Sequence, residues 1–116
     1  MLLATVFPVK WRVLIWERDL VPGKVIVRKV FGRLVGVVKI NNQIYVFDGR
    51  CPHAGLSLHD SEVTEHGILV CRGHGLRYSF TARACSANAM LLPQLAFRVR
   101  DGAVEISRDC LQKQDA

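Results

Sequence analysis

Cys51-Pro52-His53 and Cys71-Arg72-Gly73-His74 place four metal-ligating side chains in two short segments, one cysteine and one histidine in each. Two thiolates and two imidazoles hold zinc in many proteins, and they also hold an iron-sulfur cluster in which two histidines replace two cysteines on one iron. The spacing favours the cluster. Paired ligands of a single tetrahedral zinc ion usually have about two to four residues between them, whereas only Pro52 separates Cys51 from His53. Two irons need two attachment points per segment, and the same Cys-then-His order in both suits two equivalent clamps, thiolates on one iron and imidazoles on the other. Cys51, His53, Cys71 and His74 are therefore the expected ligands of one [2Fe-2S] centre per chain. A zinc-stabilised interaction module is the competing reading.

The segments that must position these ligands read as strands. Trp11 to Trp16, Lys24 to Val30, Arg33 to Ile40 and Gln43 to Phe47 are rich in Val, Ile and aromatics and are punctuated by Pro22-Gly23, Gly32 and Asn41-Asn42. Ile68 to Val70, Arg77 to Phe80, Leu95 to Arg100 and Ala103 to Ser107 continue the pattern. Asn41-Asn42 and Asp101-Gly102 are expected to be tight hairpin turns, because these residue types tolerate positive φ. Helical periodicity is absent, so the expected class is all-β, a sandwich or barrel of short strands. There are no internal repeats, and Cys110 to Ala116 read as a frayed polar end.

At 116 residues, half of them hydrophobic, the chain is expected to form one domain over 1–116, with no room for a second catalytic module. It lacks a run of about eighteen or more apolar residues, so no membrane span is expected. Met1 to Val9 is mostly apolar but has neither a basic leader nor a small-residue cleavage site, which argues against a signal peptide. Two of the four cysteines sit inside the ligand motifs, so a reducing compartment, the cytoplasm, is expected, with Cys85 and Cys110 as free thiols. His59 and His66 lie outside the motifs and read as structural.

At the ligand segments the chain resembles the Rieske family, whose signature is Cys-x-His followed after a spacer by Cys-x-x-His; here the spacer, Ala54 to Val70, is seventeen residues. The resemblance extends through Pro22-Gly23-Lys24, Tyr45-Val46-Phe47-Asp48, Gly55, Gly75 and Phe97 to Gly102, and so covers about Trp11 to Ser107. It implies an antiparallel β-sandwich base with a small inserted cluster-binding subdomain, here about 48–86. Gly49, Gly55, Gly67, Gly73 and Gly75 fall in that insert, where glycine lets backbone approach inorganic sulfur. High-potential relatives tie the two loops with a disulfide, at positions that hold Leu56 and Gly73 in this chain. The resemblance thus shifts to the soluble ferredoxins and oxygenase domains.

The high-potential relatives also place a serine and a tyrosine after the second histidine to hydrogen-bond the cluster sulfurs, where low-potential relatives commonly carry phenylalanine at the second position; this chain has Leu76 and Tyr78. A potential near the low end of the Rieske range, raised somewhat by Tyr78, is expected. The segment from Thr81 to Leu92 lacks the usual Thr-Gly pair and proline, so a reshaped covering loop is expected there. With 16 Lys and Arg against 10 Asp and Glu, a formal charge of +6, and with Arg50, Arg72 and Arg77 beside the ligands, the chain should steer an acidic partner. The charges are scattered without a basic run or a stacking motif, so nucleic acid is not an expected partner. No flavin or nicotinamide fingerprint and no mononuclear iron motif accompanies the cluster, so the chain carries an electron and is not itself an enzyme. The resemblance implies a monomeric ferredoxin that takes electrons from a flavin-containing, NAD(P)H-dependent reductase and delivers them to a terminal oxygenase, docking near His53 and His74. A small subunit of a larger reductase, such as nitrite reductase, is the alternative.

Overall fold

The computed structural model describes residues 10–51, 55–64, 66–71, 77–80 and 90–108. Its named elements are nine strands and one 3-10 turn, Glu17–Asp19. The strands are β1 (Trp11–Trp16), β2 (Ile26–Val30), β3 (Arg33–Ile40), β4 (Gln43–Asp48), β5 (Ile68–Val70), β6 (Arg77–Ser79), β7 (Met90–Leu91), β8 (Arg98–Arg100) and β9 (Ala103–Ser107). They form three sheets of order β1-β9-β8, β2-β3-β4 and β5-β6-β7. All pairings are antiparallel except β6 with β7. The all-β expectation holds, with the first two sheets making the sandwich base.

Alternation along the middle sheet explains its place. Side chains on a strand point to opposite faces in turn. Val35 and Val37 of β3 and Val46 of β4 enter one core, shared with Leu14 and Ile15 of β1 and with Val104 and Ile106 of β9. Val38 and Ile40 of β3 and Phe47 of β4 enter the other, shared with Cys51, Leu69, Cys71, Tyr78 and Phe80. β3 is thus covered on both faces, which is why it reads as a near-continuous apolar run rather than an alternating one. In β1 a bulge between Val13 and Ile15 turns Leu14 and Ile15 inward together.

Asn41-Asn42 has φ of 51 and 65°, and Asp101-Gly102 has 51 and 82°, as their residue types require for two-residue hairpins. Two expected strands are shorter because their ends serve elsewhere. Lys24 bridges to Glu62, and Val25 exchanges hydrogen bonds with Asp60 and Ser61, so β2 begins only at Ile26. Gln94 bridges to Phe47 and the Leu95 N-H donates to the Val46 carbonyl at 2.7 Å, so β8 begins at Arg98. The expected strand Arg77 to Phe80 ends at Ser79, and β4 runs one residue further, to Asp48. Residues 110–116 and 81–89 lie outside the described residues.

The third sheet is joined to the middle one by aromatic contact. Gly36 pairs with Phe47 across β3 and β4, and the Phe47 ring occupies the space a side chain on Gly36 would need. A Cβ there would lie 2.6 Å from Phe47 Cε2. That ring meets Phe80 at 5.0 Å between centroids, and Tyr45 stacks on Phe80 at 5.0 Å. Phe80 directly follows β6, so its position is set by the middle sheet. Gly36→Ala should displace the buried Phe47 ring and cost about 1–3 kcal/mol of stability, read as a lower urea midpoint at unchanged slope. An unaltered midpoint would show that the ring moves aside freely.

Candidate metal centre

Cys51 and Cys71, the two expected ligand cysteines, each stand at the start of a loop closed by one antiparallel residue pair. Arg50 bridges to Ser57 around residues 51–56, and Val70 pairs with Arg77 around residues 71–76. The two loops are equal in length, and each opens on its cysteine. The first is drawn tight by its own backbone: the Cys51 N-H donates to the Leu56 carbonyl at 2.6 Å, and the Gly55 N-H donates to the Cys51 carbonyl at 2.7 Å. The second continues from β5, whose Leu69 also bridges to Val63. The turn before β5 is held by Thr64, whose Oγ1 accepts the Ile68 N-H at 3.1 Å.

Cys51 and Cys71 are 1% and 2% exposed, belong to the same core and carry no disulfide. Tyr78, 2% exposed, reaches Cys51 from β6, with its hydroxyl 3.4 Å from Sγ. Once that sulfur is a thiolate, only the phenol can donate. Tyr78 alternates with exposed Arg77, so its inward direction follows from the pleat. The tyrosine singled out in the sequence thus lies on the sulfur of an expected ligand, Cys51.

Entry into the first loop is set by groups that composition alone does not reveal. Asp48, at the end of β4, accepts the Arg50 N-H at 3.0 Å and lies 3.6 Å from the Arg33 guanidinium and 3.7 Å from that of Arg50. These ion pairs are partly solvated and individually weak, but the backbone bond fixes the residue that precedes Cys51. Gly49 was expected to face the cluster. Instead its N-H binds the Leu34 carbonyl at 2.9 Å, and a Cβ would sit 3.0 Å from Leu34 backbone carbon. Its smallness lets the chain pass close along β3. Gly67, with φ of 80°, serves the turn that leads into β5.

His59 holds scaffold: its Nδ1 accepts the Val27 N-H at 2.9 Å, and its Nε2 lies 3.6 Å from Asp60. His66 borders a cavity of about 190 Å³ lined also by Asn41, Gln43, Tyr45 and Phe80. His53, Arg72, Gly73, His74, Gly75, Leu76 and Cys85 lie outside the described residues, as does Cys110. Among the described residues no three metal-ligating side chains gather. The donor set they supply, two buried thiols at equivalent places in two loops with a phenol on one sulfur, fits a [2Fe-2S] group with further ligands from the same loops. Leu56, at the position of the relatives' disulfide cysteine, is half exposed. No helix among the described residues is long and apolar enough to cross a membrane.

Comparison with known proteins agrees with this geometry. The chain is 30% identical over 97 residues to the ferredoxin component of the alkene monooxygenase system of Xanthobacter autotrophicus, covering 83% of this chain and 80% of that protein. The ferredoxin of carbazole 1,9a-dioxygenase from Nocardioides aromaticivorans superimposes with a TM-score of 0.67 at 20% identity, over 83% of this chain and 95% of the other. A carbazole-bound complex of oxygenase and ferredoxin from a carbazole 1,9a-dioxygenase gives 0.65 at 19% identity, over 83% of this chain and 27% of the matched one. Residues 10–96 match the Rieske [2Fe-2S] domain, and with its two cysteine loops closed in parallel fashion the chain belongs to that family.

Proposed function

We propose that this protein is a one-electron carrier, the ferredoxin of a multicomponent oxygenase system, taking electrons from an NAD(P)H-dependent flavin reductase and passing them to a terminal oxygenase. The pair of equal loops, each opening on a buried cysteine, carries the reading. The relative that is the ferredoxin component of an alkene monooxygenase system supports the choice of system. When bound, the [2Fe-2S] cluster supplies a couple that gains and loses one electron. Cys51 and Cys71 would hold one iron and His53 and His74 the other. The tight backbone bonds of the first loop and the β5-β6 pairing of the second keep both thiols fixed, so little rearrangement accompanies a change of charge. Tyr78 donates to the Cys51 sulfur. Partners dock near His53 and His74, and Arg50 and Arg77, both exposed, favour an acidic surface there.

The cluster-binding subdomain is assigned to about 48–86 of a single domain, with its sheet continuing into β7. A monomer working in the cytoplasm suits two ligand cysteines that must stay reduced until the cluster is built.

Electron paramagnetic resonance of the dithionite-reduced protein, beside iron and sulfide analysis, tests the ligand set. The expected signal is rhombic with a low average g. His53→Ala and Cys71→Ala should abolish it, while His59→Ala should keep it. Zinc in the wild-type protein with no signal after anaerobic reconstitution would end the electron-carrier reading.

Reduction adds one negative charge, so a hydrogen bond to ligand sulfur stabilises the reduced form more than the oxidised one. Tyr78→Phe should therefore lower the midpoint potential. One such bond is worth on the order of 1 kcal/mol, or roughly 40 mV for one electron. A voltammetric midpoint that stays put, with the resonance signal intact, would reduce Tyr78 to a packing residue.

A further inference from the structure

Among the described residues three two-residue hairpin turns have both φ angles positive: Phe31-Gly32 at 51 and 77°, Asn41-Asn42, and Asp101-Gly102. Two of them begin with Asn or Asp, whose side chains tolerate that conformation. Phe31 does not belong there by residue type, since a bulky side chain at positive φ is strained. Such strain persists only where surrounding structure holds it, and it points to use.

Two guanidiniums meet on the Phe31 ring. Arg12 Cζ lies 5.6 Å and Arg108 Cζ 5.2 Å from its centroid. The two cations are therefore no further apart than the sum of those distances. Phe31 is itself partly buried against the base core. Arg98, over Trp11 at 3.9 Å, binds Glu105 at 2.7 Å, and Arg18 lies over Trp16 at 5.3 Å, so among the described residues Phe31 alone carries two guanidiniums. Among the described residues no carboxylate lies within ion-pair distance of Arg12 or Arg108, and both are exposed. An aromatic plane thus holds two planar donor forks in place with their charge uncompensated, which is what a carboxylate pair needs for bidentate capture.

The clamp is continuous with the first ligand loop. Arg33 follows the Phe31-Gly32 turn directly and pairs with Asp48, and the Gly49 N-H binds Leu34. Basic side chains therefore run from Arg108 and Arg12 past Arg33 to Arg50, which precedes Cys51.

We infer that Arg12, Phe31 and Arg108 form a carboxylate clamp for an acidic segment of the protein that docks on the first ligand loop. This deepens the carrier reading by naming the chemistry of the partner, and rests on it. The excess of cations, +6 over the chain, suits such an occupant.

Titration of the holoprotein with hexaglutamate at low ionic strength, followed by calorimetry and amide chemical shifts, tests the clamp. R12Q/R108Q should weaken binding by about tenfold or more, and Phe31→Asn, which suits the turn but removes the ring, should weaken it as well. R28Q/K29Q removes the same charge from exposed positions on β2 and should change affinity by less than about twofold. Equal losses in the two double variants would mean general attraction and overturn the clamp. So would inorganic phosphate that binds Arg12 and Arg108 as tightly as the peptide does, because the site would then serve a small anion. The reduced-state resonance signal, recorded on every variant, separates failure of the clamp from failure of the carrier reading. Loss of that reading would show in the wild-type signal and not in the peptide affinities.

Discussion

Two cysteines twenty positions apart in the chain reach one cofactor only if both loops leave rigid strands at matched depth. In this protein that constraint is met by two antiparallel pairs, Arg50 with Ser57 and Val70 with Arg77, each closing a loop of the same length. Everything around them serves to keep those two necks in place. β4 and its Asp48 fix the first, β5 and β6 form the second, and Phe80 against Phe47 and Tyr45 ties the second to the first. Both cysteines are buried in the core they share with Leu58, Leu69 and Tyr78.

The family and its cofactor class were legible because their signature depends on side-chain identity and spacing alone. Cysteine and histidine in this order restrict the choice of metal group whatever the backbone does. The strands β1, β3, β5 and β9 were legible to the residue from their β-branched and aromatic runs, with β3, β5 and β9 each starting directly after a glycine of positive φ. The Phe31-Gly32 turn was marked only by its glycine, because the groups that lie over Phe31, Arg12 of β1 and Arg108 just after β9, are far away in the sequence. The truncation of β2 and β8 was hidden for a related reason. Lys24, Val25, Gln94 and Leu95 spend their main-chain groups on distant partners, and backbone hydrogen bonds leave no trace in side-chain type. β7 is too short to show any period. Gly49 was misread as a cluster glycine because a small residue near a metal loop has two uses, and only the neighbouring β3 backbone decides between them.

Electrostatics divides the surface by how well each cation is matched. Arg98 and Lys39 face Glu105 and Glu17, and these pairs steady the base. Around the first loop, one carboxylate serves two guanidiniums. That arrangement leaves positive potential beside a ligand cysteine, where it favours the more negative reduced state and attracts carboxylates. A single residue, Asp48, therefore links loop geometry with surface charge.

The middle sheet has a consequence for how this protein can change over evolutionary time. Neighbouring positions on β3 and β4 answer to different cores, so one strand carries two interleaved sets of requirements. Val35, Val37 and Val46 can drift with the sandwich base while Val38, Ile40 and Phe47 drift with the redox module, neither set obliging the other to follow. A slip of one residue in pairing would exchange the two sets together. Substitution is free to proceed on either side, while insertion or deletion within these strands is forbidden twice over.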